Sequence, residues 1–529
     1  MHCSLPAILT DLSAFAAAQG VQLWLVGGSV RDLLRGRVPV DFDLALAGDG
    51  FALARAYADA TDAAFVPLDA TRATGRIVTR SDPPLTLDLA ALRGPSIEAD
   101  LRCRDFTINA LALPLGASAG ELIDPTGGQA DLMAGMLRPC SSTSLLDDPV
   151  RVLRAARFCA HLGLRPADEL APLMHAAAPR LATVAPERCR DELLRLLDAP
   201  YAAPWLRYLD ACGALTLLIP ELEAARNCEQ PRIHFLPVLA HSLETVAALD
   251  WLIGQMRGEP LPAELIPCTI VDCRLQIAEH GVPMDVSVLD NAACSRVIGI
   301  TALPVALQHN PNLSGTIPYA AMLVSLLNET RGGGSYRRSA LLKFAALLHD
   351  NAKPQCKAQQ PDGSVNFHGH QSQGAEVALQ ICRRLRISRN ESGYVRLIVR
   401  EHMRPGQLRN AEVVSARAIA RFFRDLEPAA PDVLLHELAD HLATRGPTLN
   451  PQAWTTHVAW IEQVLHAGYS PAPEQPKPLV NGHDLMDILS LSPGPQLGAL
   501  LREIGEAQAA GEITTRAEAL ALARAKLHG

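Results

Sequence analysis

Two aspartates stand two positions apart, shortly after a pair of glycines, in a segment whose residue types suit phosphate chemistry. Gly27 and Gly28 follow an apolar run over Val21–Val26, and Asp41 and Asp43 occupy the next short apolar run. On a strand, residues i and i+2 point to the same side. Two carboxylates on one side, beside a glycine turn at a helix N-terminus, can hold Mg²⁺ against a triphosphate. The segment therefore predicts a nucleotidyl-transfer site.

Short elements must position these residues. The sequence predicts a strand over Val40–Ala45 that carries both aspartates, and a helical segment over Val30–Leu34 after the glycines. A third strand is predicted over Leu85–Leu89, where Asp88 could complete a carboxylate triad or simply face solvent. Each motif alone is weak, because Asp-x-Asp is common at solvated strand edges and Gly-Gly is usually only a turn. Their combination, with Arg31 one helical turn after the glycines, favours a site.

The motif resembles the head domain of class II tRNA nucleotidyltransferases and bacterial poly(A) polymerases, within the polymerase β superfamily. Residues 104–111, Arg-Asp-Phe-Thr-Ile-Asn-Ala-Leu, look like the family's ribose-reading motif. Residues 147–158, which begin Asp-Asp-Pro-Val-Arg, look like its base-reading motif. Glu187, Arg188 and Glu192 fit a later motif of the helical neck. The motifs occur in the family's order over about the first 220 residues.

The resemblance implies roles for individual residues. The catalytic carboxylates would be Asp41, Asp43 and Asp88, with Mg²⁺ on Asp41 and Asp43, and the nucleotide would be bound by Gly27, Gly28, Arg31, Arg104, Asp105, Asn109, Asp148, Arg151 and Arg154. Asp148 and Arg151 are predicted to share one face of a helix, three residues apart. In the family, this acceptor and donor read cytosine and then adenine without a nucleic-acid template. An ordinary intrahelical ion pair is the alternative interpretation.

Three features depart from the family pattern. Cys103 stands where the ribose motif usually has an Arg, and Asp147 stands where the base motif usually has a Glu. Both changes are mild. The third is larger, because residues 92–97 are nearly all that separates the third strand from the ribose motif, where enzymes that add all of CCA carry a flexible loop of more than ten residues. The resemblance therefore leaves open addition of CCA or of CC alone.

A second metal site is predicted in the middle of the chain. Its candidate ligands are His241, His349, Asp350, His370, His402 and Asp440, in an order that resembles the HD phosphohydrolase superfamily. Such ligands suit a divalent transition metal or Mg²⁺, and Asp350 could bridge two ions. Lys353 follows as in the usual His-Asp-x-x-Lys pattern, although Ala352 replaces a common Gly. Some relatives with this domain remove phosphates or open 2′,3′-cyclic phosphates at RNA ends. A degenerate, metal-free HD fold is the alternative.

The predicted architecture is α+β. A polymerase β-like nucleotidyltransferase head, a small mixed sheet with helices on one side, spans residues 1–145 and precedes an all-α remainder. That remainder is divided into a neck that binds the base and RNA (146–225), an HD domain (226–446) and a C-terminal tRNA-binding helical region (447–529). Residues 258–340 look like an insertion in the HD domain, and residues 471–478 read as a Pro-rich linker.

Composition limits the remaining possibilities. The chain has 529 residues and a net charge of −8, which does not by itself favour a nucleic-acid partner. Arg supplies most of the positive charge, however, and its planar fork suits phosphates and bases. We find no apolar run long enough to span a membrane and no secretory signal, and the twelve cysteines are scattered, which indicates a cytoplasmic protein with reduced thiols.

Three functions remain open at this point. The first is a template-independent tRNA 3′-end nucleotidyltransferase that uses CTP and ATP and carries an HD site. The second is a poly(A) polymerase, which in this family usually lacks the HD domain and has a basic C-terminal tail. The third is an RNA-binding protein with inactive sites. Asp41, Asp43 and Arg151 argue against the third, and incorporation of CTP into tRNA lacking its CCA end would exclude it.

Overall fold

A computed structural model describes residues 5–69, 73–116, 121–231, 233–259, 303–310, 313, 317–331, 333–410, 414–469, 478–509 and 511–528. The chain divides into two compact units. The first contains residues up to 196 together with 205–218, and the second contains residues 197–204, 219–259 and the described residues from 303 onward. Most of the predicted insertion, including its apolar runs within 269–302, lies outside the described residues, as do residues 471–477 of the predicted linker.

A six-stranded mixed sheet forms the centre of the first unit. Its strands are β1 (Leu23–Val26), β2 (Asp41–Leu46), β3 (Ala64–Asp69), β4 (Thr74–Val78), β5 (Thr86–Ala91) and β6 (Ala112–Pro114). They lie in the order β3-β4-β5-β2-β1-β6. Only the β2–β5 pair is parallel, and the other four pairs are antiparallel.

The apolar side chains of β2 are buried on one face of the sheet, and its two aspartates lie on the opposite face. Phe42, Leu44 and Leu46 of β2 enter a core formed with the first helices of the chain. Because side chains alternate along a strand, Asp41 and Asp43 must then point to the opposite face. The helices around the sheet are α1 (Ala7–Ala18), α2 (Gly28–Leu34), α3 (Gly50–Ala60), α4 (Ile97–Arg102) and α5 (Gly128–Met133). The prediction of helices on one side is wrong for α4, which packs with the alanine of β2 on the aspartate face.

Helices follow the sheet. They are α6 (Ser144–Asp147), α7 (Arg151–Leu162), α8 (Leu170–Ala177), α9 (Pro186–Leu197), α10 (Ala203–Ala211) and α11 (Ala214–Leu218). One small parallel bridge of two strands, β7 (Met136–Leu137) and β8 (Arg165–Pro166), joins this region to the head. Pro186 begins α9, since proline fits the first turn of a helix.

The described part of the second unit is helical apart from a short hairpin of β9 (Ala358–Gln359) and β10 (Val365–Asn366). Its described helices are α12 (Val238–Arg257), α13 (Val305–His309), α14 (Ala320–Asn328), α15 (Arg338–Leu348), α16 (Lys353–Cys356), α17 (His370–Arg384), α18 (Arg389–Glu401), α19 (Arg404–Arg409), α20 (Ala416–Leu426), α21 (Ala430–Arg445), α22 (Pro451–Tyr469), α23 (Gly482–Leu489), α24 (Pro495–Ala509) and α25 (Arg516–His528). Helix α12 packs against α15 and α21. Helices α23 to α25 form an apolar core of their own.

The predicted fold class is therefore confirmed: a small mixed sheet with helices precedes a helical remainder. Among the described residues, no helix has the length and apolar character that crossing a membrane requires.

Candidate functional site

One open cleft in the first unit, of about 1780 Å³, collects every residue predicted for the head site. Its walls include Gly27, Gly28, Arg31, Asp41, Asp43, Asp88, Arg104, Asp105, Asn109, Asp148, Arg151 and Arg154. These residues come from β2, β5, the start of α2, the segment between α4 and β6, and the first turn of α7 with the residues just before it. The sequence motifs thus converge in space, although they are spread over more than a hundred positions.

The two aspartates of β2 are held by backbone pairing and by one serine. Asp43 lies opposite Val26 of β1 and Asp88 of β5 in the strand register. The Ser29 hydroxyl accepts a hydrogen bond from the Asp43 amide at 2.9 Å and donates one to the Asp41 carbonyl at 3.3 Å. Burial raises the pKa of Asp43, and neighbouring Asp88 and Asp41 add to this, against the opposing effect of Arg104. A divalent cation would relieve this repulsion.

Asp88 meets a partner that the sequence reading missed. Arg76 of β4 stands directly across from Asp88, and its guanidinium donates to both carboxylate oxygens at 2.7 and 2.8 Å. The hydrogen bonds to Asp88 raise the pKa of Arg76, and Asp41 and Asp43 contribute to the same shift. Arg76 therefore neutralises the third carboxylate, which leaves Asp41 and Asp43 as the two unpaired candidates for a metal among the described cleft residues.

The glycine turn brings the backbone close to the charged groups. Gly27 has φ 71° and ψ −137°, a conformation that side chains strongly disfavour. A Cβ atom there would lie 2.9 Å from Arg104 Nη1 and 3.4 Å from Asp43 Oδ2. Arg104 is itself held by the buried carboxylate of Asp100 at 2.9–3.0 Å. Glycine is required here by both conformation and space.

A chain of charged hydrogen bonds runs along the cleft wall. Arg31 donates to Asp32 and, at 2.8 Å, to Asn109, whose amide donates to Asp105 at 3.1 Å. Asp105 also accepts from Arg154 at 3.2 Å. Although burial opposes ionisation, Arg154, Asn109 and the Phe106 amide hold the pKa of Asp105 below its usual value. The ribose-motif and base-motif residues are thus locked together.

Glu192 on α9 is the last residue of this series of hydrogen bonds. Its carboxylate is almost fully buried and accepts from Arg154 at 2.8 Å and from Arg157 at 2.5 Å. Arg157 in turn lies over the Phe158 ring, with its guanidinium carbon 4.4 Å from the ring centre. Two cationic side chains of α7 are therefore fixed at the cleft by one carboxylate of the next long helix.

The predicted base-reading pair has a different backbone from the one expected. Asp148 does not lie on the helix with Arg151; it has an extended backbone, φ −144° and ψ 92°, between α6 and α7. The helix prediction is wrong because Pro149 follows, and a residue before proline avoids the helical region. The side chains nevertheless meet, with Arg151 Nε 4.0 Å from Asp148 Oδ2. A turn, rather than a shared helix face, brings acceptor and donor together.

The remaining atoms of this pair are fixed by neighbours. Arg151 donates its other nitrogens to the carbonyls of Cys103 and Arg104 and to Ser144, while its Nε is buried without a hydrogen-bond partner among the described residues. Arg188 on α9 donates to Asp148 Oδ2 at 2.7 Å. Arg188 thus sits where it can set the rotamer of the acceptor.

The connection after β5 is short. Strand β5 ends at Ala91 and α4 begins at Ile97, so that only residues 92–96 separate them. The backbone amide of Arg93 in this stretch donates to the buried Asp100 carboxylate at 3.1 Å. The short connection expected from the sequence is present and is tied to the base of the cleft.

The second unit brings the predicted HD residues into one buried cluster. Two groups of close ligand atoms share Asp350: one with His241 and His349, the other with His370 and His402. All five side chains are buried. Asp440 joins the first group through His241 Nε2, 2.9 Å from Asp440 Oδ1. Every HD ligand named from the sequence therefore lies at this centre.

Backbone carbonyls orient three of these imidazoles. The Nδ1 atoms of His349, His370 and His402 lie 2.7–2.8 Å from the carbonyls of Ala346, Phe367 and Val399. A proton on each Nδ1 leaves Nε2 with a lone pair, as metal ligands require.

The Nε2 lone pairs of His370 and His402 then converge beside Asp350. His370 Nε2 and His402 Nε2 are 3.3 Å apart, and they lie 3.4 and 3.8 Å from Asp350 Oδ1. Although burial opposes ionisation, His349 and Lys353 hold the pKa of Asp350 well below its usual value. Converging lone pairs and a buried carboxylate are donors that suit a divalent transition metal, so the HD residues fit a bound metal.

Two further histidines at this centre were missed from the sequence. His436 is fully buried, and burial lowers its pKa to about 3. His234 lies with its ring centre 5.2 Å from that of His241, and burial lowers its pKa to about 4. The spacing of His436 and Asp440, one helical turn apart on α21, was the available signal.

Comparison with known families agrees with this geometry. The chain matches the models for the poly A polymerase head domain (residues 23–138), the RNA- and SrmB-binding site of polymerase A (163–226), the HD domain (319–445) and tRNA nucleotidyltransferase domain 2 (463–523).

Several relatives match over nearly the full length, and two of them differ in the nucleotides that they are named for adding. The chain is 34% identical to an A-adding tRNA nucleotidyltransferase of Deinococcus radiodurans, covering 94% of each chain. It is 31% identical to a CC-adding tRNA nucleotidyltransferase of Thermus thermophilus, covering 94% of this chain and 92% of the relative. In fold it resembles the Thermotoga maritima CCA-adding enzyme complexed with tRNA, with a TM-score of 0.59, 19% identity and coverage of 98% and 95%.

Proposed function

The chain belongs to the tRNA nucleotidyltransferases, and on that premise we propose that it performs one part of CCA synthesis, the addition of CC to tRNA 3′ ends from CTP. The observation that carries this proposal is the short β5–α4 connection, residues 92–96. In the family that this chain resembles, enzymes that add all of CCA carry a longer loop there. The CC-adding relative from Thermus thermophilus supports the same interpretation.

The reaction joins the tRNA 3′-hydroxyl oxygen to the α-phosphorus of the nucleotide and releases pyrophosphate. Asp41 and Asp43 would hold Mg²⁺, which when bound lowers the pKa of the hydroxyl and neutralises the phosphates. Arg104 and Arg154 face the cleft as cations for the triphosphate. Catalysis in such a transfer rests mainly on positioning and charge stabilisation, which the fixed hydrogen-bond chain of the cleft wall provides.

Base selection would fall to Asp148 and Arg151. A cytosine presents an amino donor beside a ring-nitrogen acceptor, as an adenine does. Asp148 offers carboxylate oxygen, and the Nε of Arg151 is the donor left without a partner among the described residues. Uracil and guanine present the opposite polarity, so an ionised carboxylate would reject them.

Addition of A alone is the second candidate, because the 34% identical relative from Deinococcus radiodurans is named for it. One experiment separates the possibilities. Transcripts ending at the discriminator base, at +C and at +CC are each supplied with CTP, ATP or both, and products are resolved to one nucleotide. We expect growth to CC and no further. Extension of only the +CC transcript with ATP would replace CC addition by A addition, and synthesis of full CCA would contradict both.

We further propose that the HD centre is a metal-dependent phosphohydrolase that acts on RNA 3′-end phosphates. Its support is the buried cluster around Asp350. Metal-bound hydroxide is the nucleophile that such centres supply when loaded. We expect a 2′,3′-cyclic nucleotide to be opened in the presence of Mn²⁺ or Ni²⁺, with the activity abolished in His349→Ala while nucleotide addition continues. Equal hydrolysis by the variant would refute the assignment.

A further inference from the structure

His436 is a buried polar residue for which the head and HD assignments give no role. It lies on α21 with no exposed surface, and neither ring nitrogen has a hydrogen-bond partner among the described residues. Buried polar atoms are nearly always bonded, and an exception calls for an explanation. A phenylalanine would fill this space without two unsatisfied nitrogens.

The surroundings of His436 point to one explanation. Its ring centre lies 5.0 Å from that of His349 and 5.9 Å from that of His402. His349 belongs to the first ligand group around Asp350, and His402 belongs to the second. His436 therefore packs beside both groups at once.

The position of His436 on its helix also places it at the HD cluster. Asp440 lies four residues later on α21, and side chains at that spacing share a face. Asp440 already reaches the centre through His241. One face of α21 thus presents both an imidazole and a carboxylate toward the same buried cluster.

We propose that His436 is a further ligand of the HD metal centre, which then holds two transition-metal ions through five imidazoles and two carboxylates. This inference rests on the proposed HD metal site and specifies its metal class. Imidazole-rich sites favour borderline metals such as Co²⁺, Ni²⁺ or Fe²⁺, whereas Mg²⁺ prefers oxygen ligands and retains water.

The test measures metal binding rather than hydrolysis. The full-length protein is stripped with a chelator and titrated with Co²⁺, with metal content measured by elemental analysis and the coordination sphere by visible absorption. The variants are His436→Phe, which keeps the volume, and His436→Gln, which keeps polarity. His441→Phe serves as the matched control, because His441 lies on the same helix but stacks on His457, with ring centres 4.3 Å apart.

With millimolar Mg²⁺ present to occupy Asp41 and Asp43 of the head site, we expect wild type and His441→Phe to hold two Co²⁺ per chain at the HD centre. Both His436 variants should bind at least one ion about tenfold more weakly or lose it, with a changed absorption spectrum. Wild-type stoichiometry, affinity and spectrum in both variants would overturn the role of His436. If His436→Phe fails to fold, His436→Gln decides. If wild-type protein binds no metal, or His349→Ala binds it normally, the HD metal site itself is refuted.

Discussion

Replacing Gly27 by alanine should damage the head site more than it damages the fold. The residue combines φ 71° with ψ −137°, and holding a side chain in such a region costs about 1–3 kcal/mol. The new Cβ would also meet Arg104 Nη1 at 2.9 Å, so that the guanidinium must move. Since Asp43 Oδ2 is only 3.4 Å away, the shift reaches a proposed metal ligand. A displacement near 1 Å can lower turnover by about 10²-fold.

Gly163→Ala is the matched control. This glycine ends α7 with φ 66° and ψ 36°, and a Cβ there meets nothing within 4 Å. We expect it to lose about 1 kcal/mol of stability and no activity. Urea unfolding gives the free energy for both variants, and single-nucleotide extension of tRNA gives their kcat and KM. Wild-type turnover in Gly27→Ala at full folding would refute the idea that the cleft depends on this close approach.

Three further perturbations test other parts of the molecule. Glu192→Gln removes the carboxylate that pairs with two partly solvated arginines, so we expect the free energy of unfolding in urea to fall by about 2–3 kcal/mol. The control Glu223→Gln, at an exposed ion pair, should lower it by less than about 1 kcal/mol. Equal losses in the two variants would contradict the importance of the buried ion pair. Arg188→Ala removes the hydrogen bond to Asp148, so the KM for the accepted nucleotide should rise about fivefold, and Arg188→Lys should restore part of it. Unchanged kcat and KM would exclude a role of Arg188 in positioning Asp148. Burial, together with Asp440, raises the pKa of Glu437 to about 8. The folded protein keeps Glu437 protonated while the unfolded chain ionises it, so the free energy of unfolding falls between about pH 4 and 8. In the presence of a chelator, the free energy of unfolding of Glu437→Gln should exceed that of wild type by about 2–4 kcal/mol at pH 8 and should equal it at pH 4.

The elements that carry local signals could be predicted from the sequence. Strand β2 and its two aspartates follow from an alternating apolar pattern, and the turn at Gly27 follows from the glycine pair. The α+β class and the positions of the HD ligands came from the order of short motifs. The strand and the turn depend on residues close together in the chain, where periodicity and turn chemistry act directly, whereas the fold class and the HD candidates depend on the family resemblance that the order of the motifs carries.

What sequence reasoning missed depends on contacts between distant segments. Arg76 became the partner of Asp88 only through the pairing of β4 with β5, which no local pattern reveals. His436 lies within a helix where apolar residues dominate, so that its contact with two ligand groups emerges only in the folded unit. The helical assignment of Asp148 was wrong for a local reason, because a residue that precedes proline avoids the helical region of the backbone.

The order of strands in the sheet has a consequence for how the cleft comes into being. Asp43 is positioned by neighbours at residue 26 on one side and residue 88 on the other, and β1 needs β6 at 112–114 to complete its pairing. Contacts between residues far apart in sequence form late, because loop closure must precede their stabilisation. During synthesis, Asp41 and Asp43 leave the ribosome before β5, so that one edge of β2 does not yet have its partner strand. The arrangement of Asp41 and Asp43 that we propose for metal binding is therefore complete only after β5 has been synthesised and has paired with β2.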